Sequence, residues 1–179
     1  MDSRYTERYG SAVESSEVLD IDGSNRAATI VADLTDAEQV PSDSFDCVML
    51  TQTLQSIYDT PAALREVHRM LRPGGVLLAT VPAVSKIDPT PGVRGDYWRF
   101  TTASCARLVG DVFGDGDVSV RAHGNVLAAA AFLYGLARED LSDRELDLED
   151  EFFPVLITVR AMKRSQHPQT AQETGPAGR

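Results

Sequence analysis

The chain has 179 residues, 42% of them hydrophobic and 25% charged, which excludes an intrinsically disordered composition. At roughly 100–200 residues per domain this is one domain, and a chain of that size buries about 70% of its unfolded surface with no need of disulfides or a structural metal. Seventeen basic against twenty-seven acidic side chains leave a net charge of −10, which argues against a general nucleic-acid binder and an anionic-membrane binder, since both need a basic face.

In chain order, Val18-Leu19-Asp20-Ile21-Asp22 alternates apolar and acidic residues and breaks at Gly23-Ser24-Asn25, a strand ending in a turn. Ala27 to Ala32 is a second short strand, closed by Asp33-Leu34-Thr35-Asp36. Phe45 to Leu50 is apolar nearly throughout, as strands buried on both faces of a parallel sheet are. Thr60-Pro61 opens a helix whose Leu64, Val67 and Leu71 form one stripe, and Pro73-Gly74-Gly75 is expected to turn it into a strand over Val76 to Val81. A polar loop over 83–98 follows, then a helix from Thr102 or Ser104 to about Phe113, a strand over 117–122, an alanine-rich helix over 126–138 and a last strand over 152–162. Residues 164–179 are polar and rich in proline and glycine, so the domain is expected over 1–163 with a disordered tail. No internal repeat is present.

The acidity is concentrated. Residues 139–151 hold eight acids and one base, −7 of the net −10; without a central glycine and alternating ligands this reads as a solvated helix end and loop rather than a calcium loop. Cys47 and Cys105 stand far apart among apolar residues and no export signal is visible, so both are expected as reduced core thiols in a cytoplasmic protein. The longest apolar run, Val126 to Leu136, is too short to span a membrane.

Strand–helix–strand order implies right-handed crossovers, a parallel sheet and a ligand at the carboxyl ends of the strands. Asp22 is placed to accept both hydroxyls of a ribose, with Asp20 as runner-up. Asp33 is placed to accept an adenine amino group, with Leu34 as an apolar face. Alone, each aspartate reads more readily as a turn residue bonded to its own backbone. Thr51 and Gln52 follow the third strand, where Gln52 can both donate and accept, or merely cap the next segment. Tyr97 and Trp98 are candidates to wall an acceptor pocket and Arg99 to hold an acidic group, although packing in the core is the commoner use of a tryptophan. His123 follows a strand and can reach a pocket mouth as a general base, while most lone histidines have no catalytic role.

Three elements in one order carry a resemblance: FDCVML, PAALREVHRML and LRPGGVLLATVP. Together they resemble the class I S-adenosylmethionine-dependent methyltransferases, in the branch with an FD-x-V strand and an L-[RK]-P-G-G turn, and the likeness runs from about Val18 to Lys163. The stretch Asp96-Tyr97-Trp98-Arg99-Phe100-Thr101 is similar to one that follows the fifth strand in family members acting on sugars or polyketide-type small molecules. The resemblance implies a Rossmann-like three-layer α/β fold with a mostly parallel sheet, S-adenosylmethionine as cofactor, and methyl transfer to an oxygen or nitrogen of a small molecule. It also implies that Asp22 and Asp33 fall where the family holds ribose and adenine.

The family normally begins with a strand ending in a turn of the type E-x-G-x-G-x-G. The thirteen glycines here give one G-x-G, Gly114 to Gly116, which comes late. Asp2 to Gly10 looks like the stretch that follows that strand in relatives. A domain lacking its first, central strand is therefore expected, from a late start or a truncated gene, unless the two neighbouring strands close up directly. Loss of that strand leaves open sheet edges that favour association into a homo-oligomer. The competing expectation is a truncated or degenerate relative that acts as a binding or structural module without catalysis.

Overall fold

The structure is a computed structural model and describes residues 12–88 and 95–165. Among the described residues six strands and four helices follow one another, in the expected order except that the short α4 was not expected: β1 (Leu19–Asp20), β2 (Ile30–Val31), β3 (Phe45–Thr51), α1 (Thr60–Met70), β4 (Leu71–Pro82), α2 (Thr102–Phe113), β5 (Val118–His123), α3 (Val126–Tyr134), α4 (Asp143–Leu146) and β6 (Leu156–Met162). β1 and β2 pair in parallel as a small sheet, and a second sheet has the order β3-β4-β6-β5. β3 and β4 are parallel, whereas β6 runs antiparallel to both of its neighbours. β5 therefore points the same way as β3 and β4, and Thr51, Pro82 and His123 lie on one edge of that sheet.

The two sheets are distinct: among the described residues no strand pairs β1 with β3. The direct closing-up of these two strands does not occur. They are nevertheless joined through one core, because Ala32, Leu34, Ala37 and Val40 pack in the same cluster as Leu50, Leu54, Leu64 and Leu77. Arg69 fastens this junction. Its guanidinium donates to the carbonyls of Val40 (2.7 Å) and Ala37 (2.9 Å) and is itself held by Glu66 (2.7 Å).

Helix α1 is capped by Asp59, one residue earlier than the expected cap Thr60, because the Asp59 carboxylate accepts from Ala62 N–H. Its buried Ala63, Leu64, Val67 and Met70 cover the sheet. The Pro73-Gly74-Gly75 segment is not the expected helix-to-strand turn. β4 begins directly at Leu71, and the three residues form a bulge in which the register jumps from Phe45↔Leu71 to Cys47↔Val76. Glycine is required there: Gly74 has φ +84°, and a Cβ on Gly75 would lie 2.9 Å from the Arg72 carbonyl. Helix α2 starts with a reciprocal capping box between Thr101 and Ser104.

α1 and α2 pack on the same face of the four-stranded sheet, over Leu77, Val81, Ile157 and Ala161, all fully buried. Alternation puts Cys47, Leu78, Arg160 and Arg121 on the other face, where all four are exposed and Leu78 is 40% accessible in the second strand of the sheet. Cys47 is thus not the core thiol expected. Cys105 is buried, and burial pushes its thiol up to about 11. His68 is half-buried at the core boundary, edge-on to Phe113 with ring centroids 5.0 Å apart. Most of the acidic run is exposed, in keeping with a solvated segment. The tail from residue 166 lies outside the described residues.

Candidate functional site

At the carboxyl ends of β3 and β4 lies a polar cleft of about 110 Å³, lined by Gln52, Gln55, Ser56, Pro82, Ser85, Lys86, Asp88 and Asp96. Gln52 takes a left-handed conformation with φ +51°, which costs a non-glycine residue free energy and is concentrated at functional turns. It is held there because its N–H donates to the Thr80 carbonyl (3.0 Å) and to Thr80 Oγ1 (3.2 Å). Beside it Gln55 donates through Nε2 to the Gln52 carbonyl at 2.8 Å, while its Oε1 is buried with no donor. An acceptor left in this state costs about 1–3 kcal/mol.

An aromatic cluster is tied to Gln55 and Ile57 beside the cleft. The N–H groups of Tyr97 and Trp98 both donate to the Gln55 carbonyl, and Trp98 Nε1 donates to the Ile57 carbonyl at 2.9 Å. Tyr58 stacks on Trp98 (5.7 Å between centroids) and meets Tyr97 edge-on (5.4 Å). All three rings are exposed, Trp98 at 37%, so it is Phe100, at 5%, that anchors this segment in the core. Arg99 is already engaged. It pairs with both oxygens of Asp96 and donates to the carbonyls of Ser85, Lys86 and Trp98. Arg99, followed by the Asp88 N–H, holds the Asp96 carboxyl down at about 2.

The aspartates at the ends of β1 and β2 sit in turns of their own. Asp20 accepts from Asp22 N–H (3.0 Å) and from the Asn25 amide (2.6 Å), and these two bonds keep its carboxyl below the ordinary range. Asp22 is exposed and accepts from Ser24 N–H at 2.8 Å. Asp33 accepts from both the N–H and the hydroxyl of Thr35 (2.9 and 2.7 Å), next to buried Leu34. Each carboxylate thus plays its turn role; with about four lone-pair sites on a carboxylate, that role leaves Asp22 able to accept more.

His123 lies at the end of β5 with both ring nitrogens engaged: Nδ1 with Glu149 Oε1 (3.0 Å) and Nε2 with Thr158 Oγ1 (2.9 Å). Glu149 and Thr158, which bond His123, Gln55, which lines the cleft, and Tyr58, which stacks on Trp98, were not singled out from the sequence. Glu149 was indistinguishable within the acidic run, and Thr158 within an alternating strand. Among the described residues no group of three or more histidine, cysteine, aspartate and glutamate side chains is arranged to hold a metal.

Comparison with known proteins matches residues 5–79 to the family described as "Methyltransferase domain". The ubiquinone/menaquinone biosynthesis C-methyltransferase UbiE of Hahella chejuensis is 48% identical over 52 residues, which are 26% of this chain and 21% of that protein. Its counterpart in Proteus mirabilis is 35% identical over 57 residues, 32% of this chain and 23% of that protein. The chain thus matches about a fifth of the length of these curated relatives. Among solved structures, an S-adenosylmethionine-dependent methyltransferase from Thermotoga maritima superposes with TM-score 0.52 at 17% identity, over 78% of this chain and 66% of that one. One from Archaeoglobus fulgidus superposes with TM-score 0.52 at 12% identity, over 81% and 74%. The strand order and these likenesses show that the chain has the Rossmann-like α/β fold of the S-adenosylmethionine-dependent methyltransferases.

Proposed function

We propose that the protein transfers a methyl group from S-adenosylmethionine to an oxygen or nitrogen of a small molecule. The observation that carries this reading is the cleft at the strand ends, where Gln52 is strained and Gln55 Oε1 lacks a donor. The site residues fit the cofactor. Asp22 accepts from the ribose hydroxyls, since both oxygens of Asp20 are already engaged within the turn. Asp33 accepts from the adenine amino group while Leu34 packs against the ring. Thr51 and Gln52 orient the methionyl part, whose ammonium group is a donor of the kind that Gln55 Oε1 lacks. At about 110 Å³ the cleft encloses only a fraction of a ligand whose pocket would ordinarily exceed about 300 Å³, so the adenosine part lies along the open strand ends.

The sulfonium supplies the electrophilic methyl group, so the protein's task is alignment, exclusion of water and removal of a proton from the acceptor. Tyr97 and Trp98, with Tyr58, present an aromatic wall to the acceptor. Arg99 shapes the pocket by fixing the 85–88 segment rather than by binding an acid itself. His123 is the proton acceptor. The small enclosed volume also supports a second reading, a non-catalytic module of methyltransferase fold that binds no cofactor.

Calorimetric titration of S-adenosylhomocysteine separates the two. The enzyme reading expects saturable binding with one ligand per chain, weakened about tenfold or more by Asp22→Ala through loss of a charge-assisted acceptor. Absence of heat would favour the module.

A further inference from the structure

We propose that Glu149, His123 and Thr158 form a proton relay whose outer end is the Thr158 hydroxyl, so that His123 takes the acceptor's proton through Thr158 and not by direct contact. The proposal rests on the methyl-transfer reading for its substrate but on hydrogen-bond geometry for its parts. A carboxylate can only accept, so the 3.0 Å contact with Glu149 puts the ring proton on Nδ1. Nε2 of the neutral ring is then an acceptor, and the 2.9 Å contact is a hydrogen bond donated by the Thr158 hydroxyl. Thr158 Oγ1 keeps lone pairs for a donor arriving from outside. The logic is that of a serine–histidine–aspartate triad, in which the carboxylate fixes tautomer and orientation.

The relay reaches the cleft by register. Thr158 stands directly opposite Thr80 in the β4–β6 pair, and Thr80 opposite Thr51 in the β3–β4 pair. Directly opposed side chains on one face are about 4.5–5.5 Å apart at Cβ. Thr80 Oγ1 receives the Gln52 N–H that lines the cleft, and Thr158 Oγ1 bonds His123. A row of three hydroxyls therefore runs along the sheet edge from the cleft to the histidine. When an acceptor gives up a proton, its O–H or N–H bond breaks and the electron pair stays on the acceptor atom. The proton passes to Thr158 Oγ1 as that hydroxyl passes its own to His123 Nε2, leaving an imidazolium beside the Glu149 carboxylate. The His123 and Glu149 side chains are 39% and 66% exposed, so the proton then leaves to solvent. Glu149 and Thr158 thus belong to the chemistry although one lies in the acidic run and the other in mid-strand.

Long-range proton–nitrogen NMR of the full ¹⁵N-labelled chain reads the tautomers of its three histidines. The expected result is an Nδ1–H ring at His123 that shifts towards Nε2–H in Glu149→Ala; an Nε2–H ring in the wild type, or no change in the variant, would overturn the relay. Its role in turnover is read on a series of phenol acceptors ordered by acidity. Thr158→Val is expected to lose about tenfold or more in kcat on the least acidic phenol and less than about twofold on the most acidic, with KM for S-adenosylmethionine unchanged. Equal loss across the series would mark a purely structural contact and overturn the relay. Failure of the wild type to bind S-adenosylhomocysteine would count against the cofactor reading alone, and the tautomer would still decide the relay.

Discussion

The Asp96 carboxylate is nearly enclosed, with 9% of its side chain exposed, and Arg99 is its principal partner. Removing Arg99 leaves a largely buried carboxylate short of donors and frees the Ser85 and Lys86 carbonyls, at a cost of about 1–3 kcal/mol. The sign of the pH dependence follows from the depressed carboxyl. The pair stabilises the fold fully above the ordinary value of 3.8, and this contribution is lost as pH falls through about 2. Urea unfolding of wild type and Arg99→Ala is therefore expected to differ most at neutral pH, with the difference shrinking as pH falls from 3.8 towards 2; a difference independent of pH would contradict the pairing. Arg99 also shows what the sequence could and could not convey at this scale. Its guanidinium was legible as an anion-holding group, and the anion it holds stands three residues earlier in its own chain. Only the path of the 85–99 segment decides that partner, and no local pattern encodes the path. The turn roles of Asp22 and Asp33 were legible because strand ends and turns are local features.

At the scale of elements, the 124–155 excursion is tied to the sheet through a few backbone-specific positions. Asn125 is 6% exposed; its Oδ1 caps α3 at Ala128, and its Nδ2 donates to the carbonyls of Glu145 and Leu148 at 2.8 and 2.7 Å. Asn125→Ala is expected to cost about 2–4 kcal/mol, a lost cap plus two orphaned carbonyls, in a denaturant titration. Two glycines offer an internal comparison. Gly135 has φ +77° with open space at its Cβ position, whereas Gly124 has φ +114° and a Cβ there would meet Val155 at 2.9 Å. Alanine at 135 is expected to cost about 1 kcal/mol and at 124 clearly more; equal costs would contradict the close approach of Val155. The order of elements was legible because hydrophobic period changes from strand to helix. Their lengths were less so: β1 and β2 are two residues each, because Asp22, Ser24 and Asn25 commit their backbone to a turn.

The four-stranded sheet carries α1 and α2 on one face, and its other face presents Cys47, Leu78, Arg121 and Arg160 among the described residues. Adjacent leucines of β4 test this asymmetry. Leu77, fully buried, is expected to cost about 2–5 kcal/mol when changed to alanine, and Leu78, 40% exposed, less than about 1.5 kcal/mol. Comparable losses would mean that the open face is covered in solution. Among the described residues β1-β2 and β3-β4-β6-β5 stand as separate sheets. The exposure of this face among the described residues was not legible, because Met49, Leu78 and Met162 read as core residues in any one-dimensional pattern.

Binding of a cofactor along the carboxyl ends of these strands is read by mapping amide chemical-shift changes as S-adenosylhomocysteine is added to the labelled chain. The account expects saturable changes clustered at Asp20–Asp22, Asp33–Leu34 and Thr51–Gln55. Changes confined to the opposite edge of the sheet, around Arg72–Gly75, or no changes at all, would contradict it.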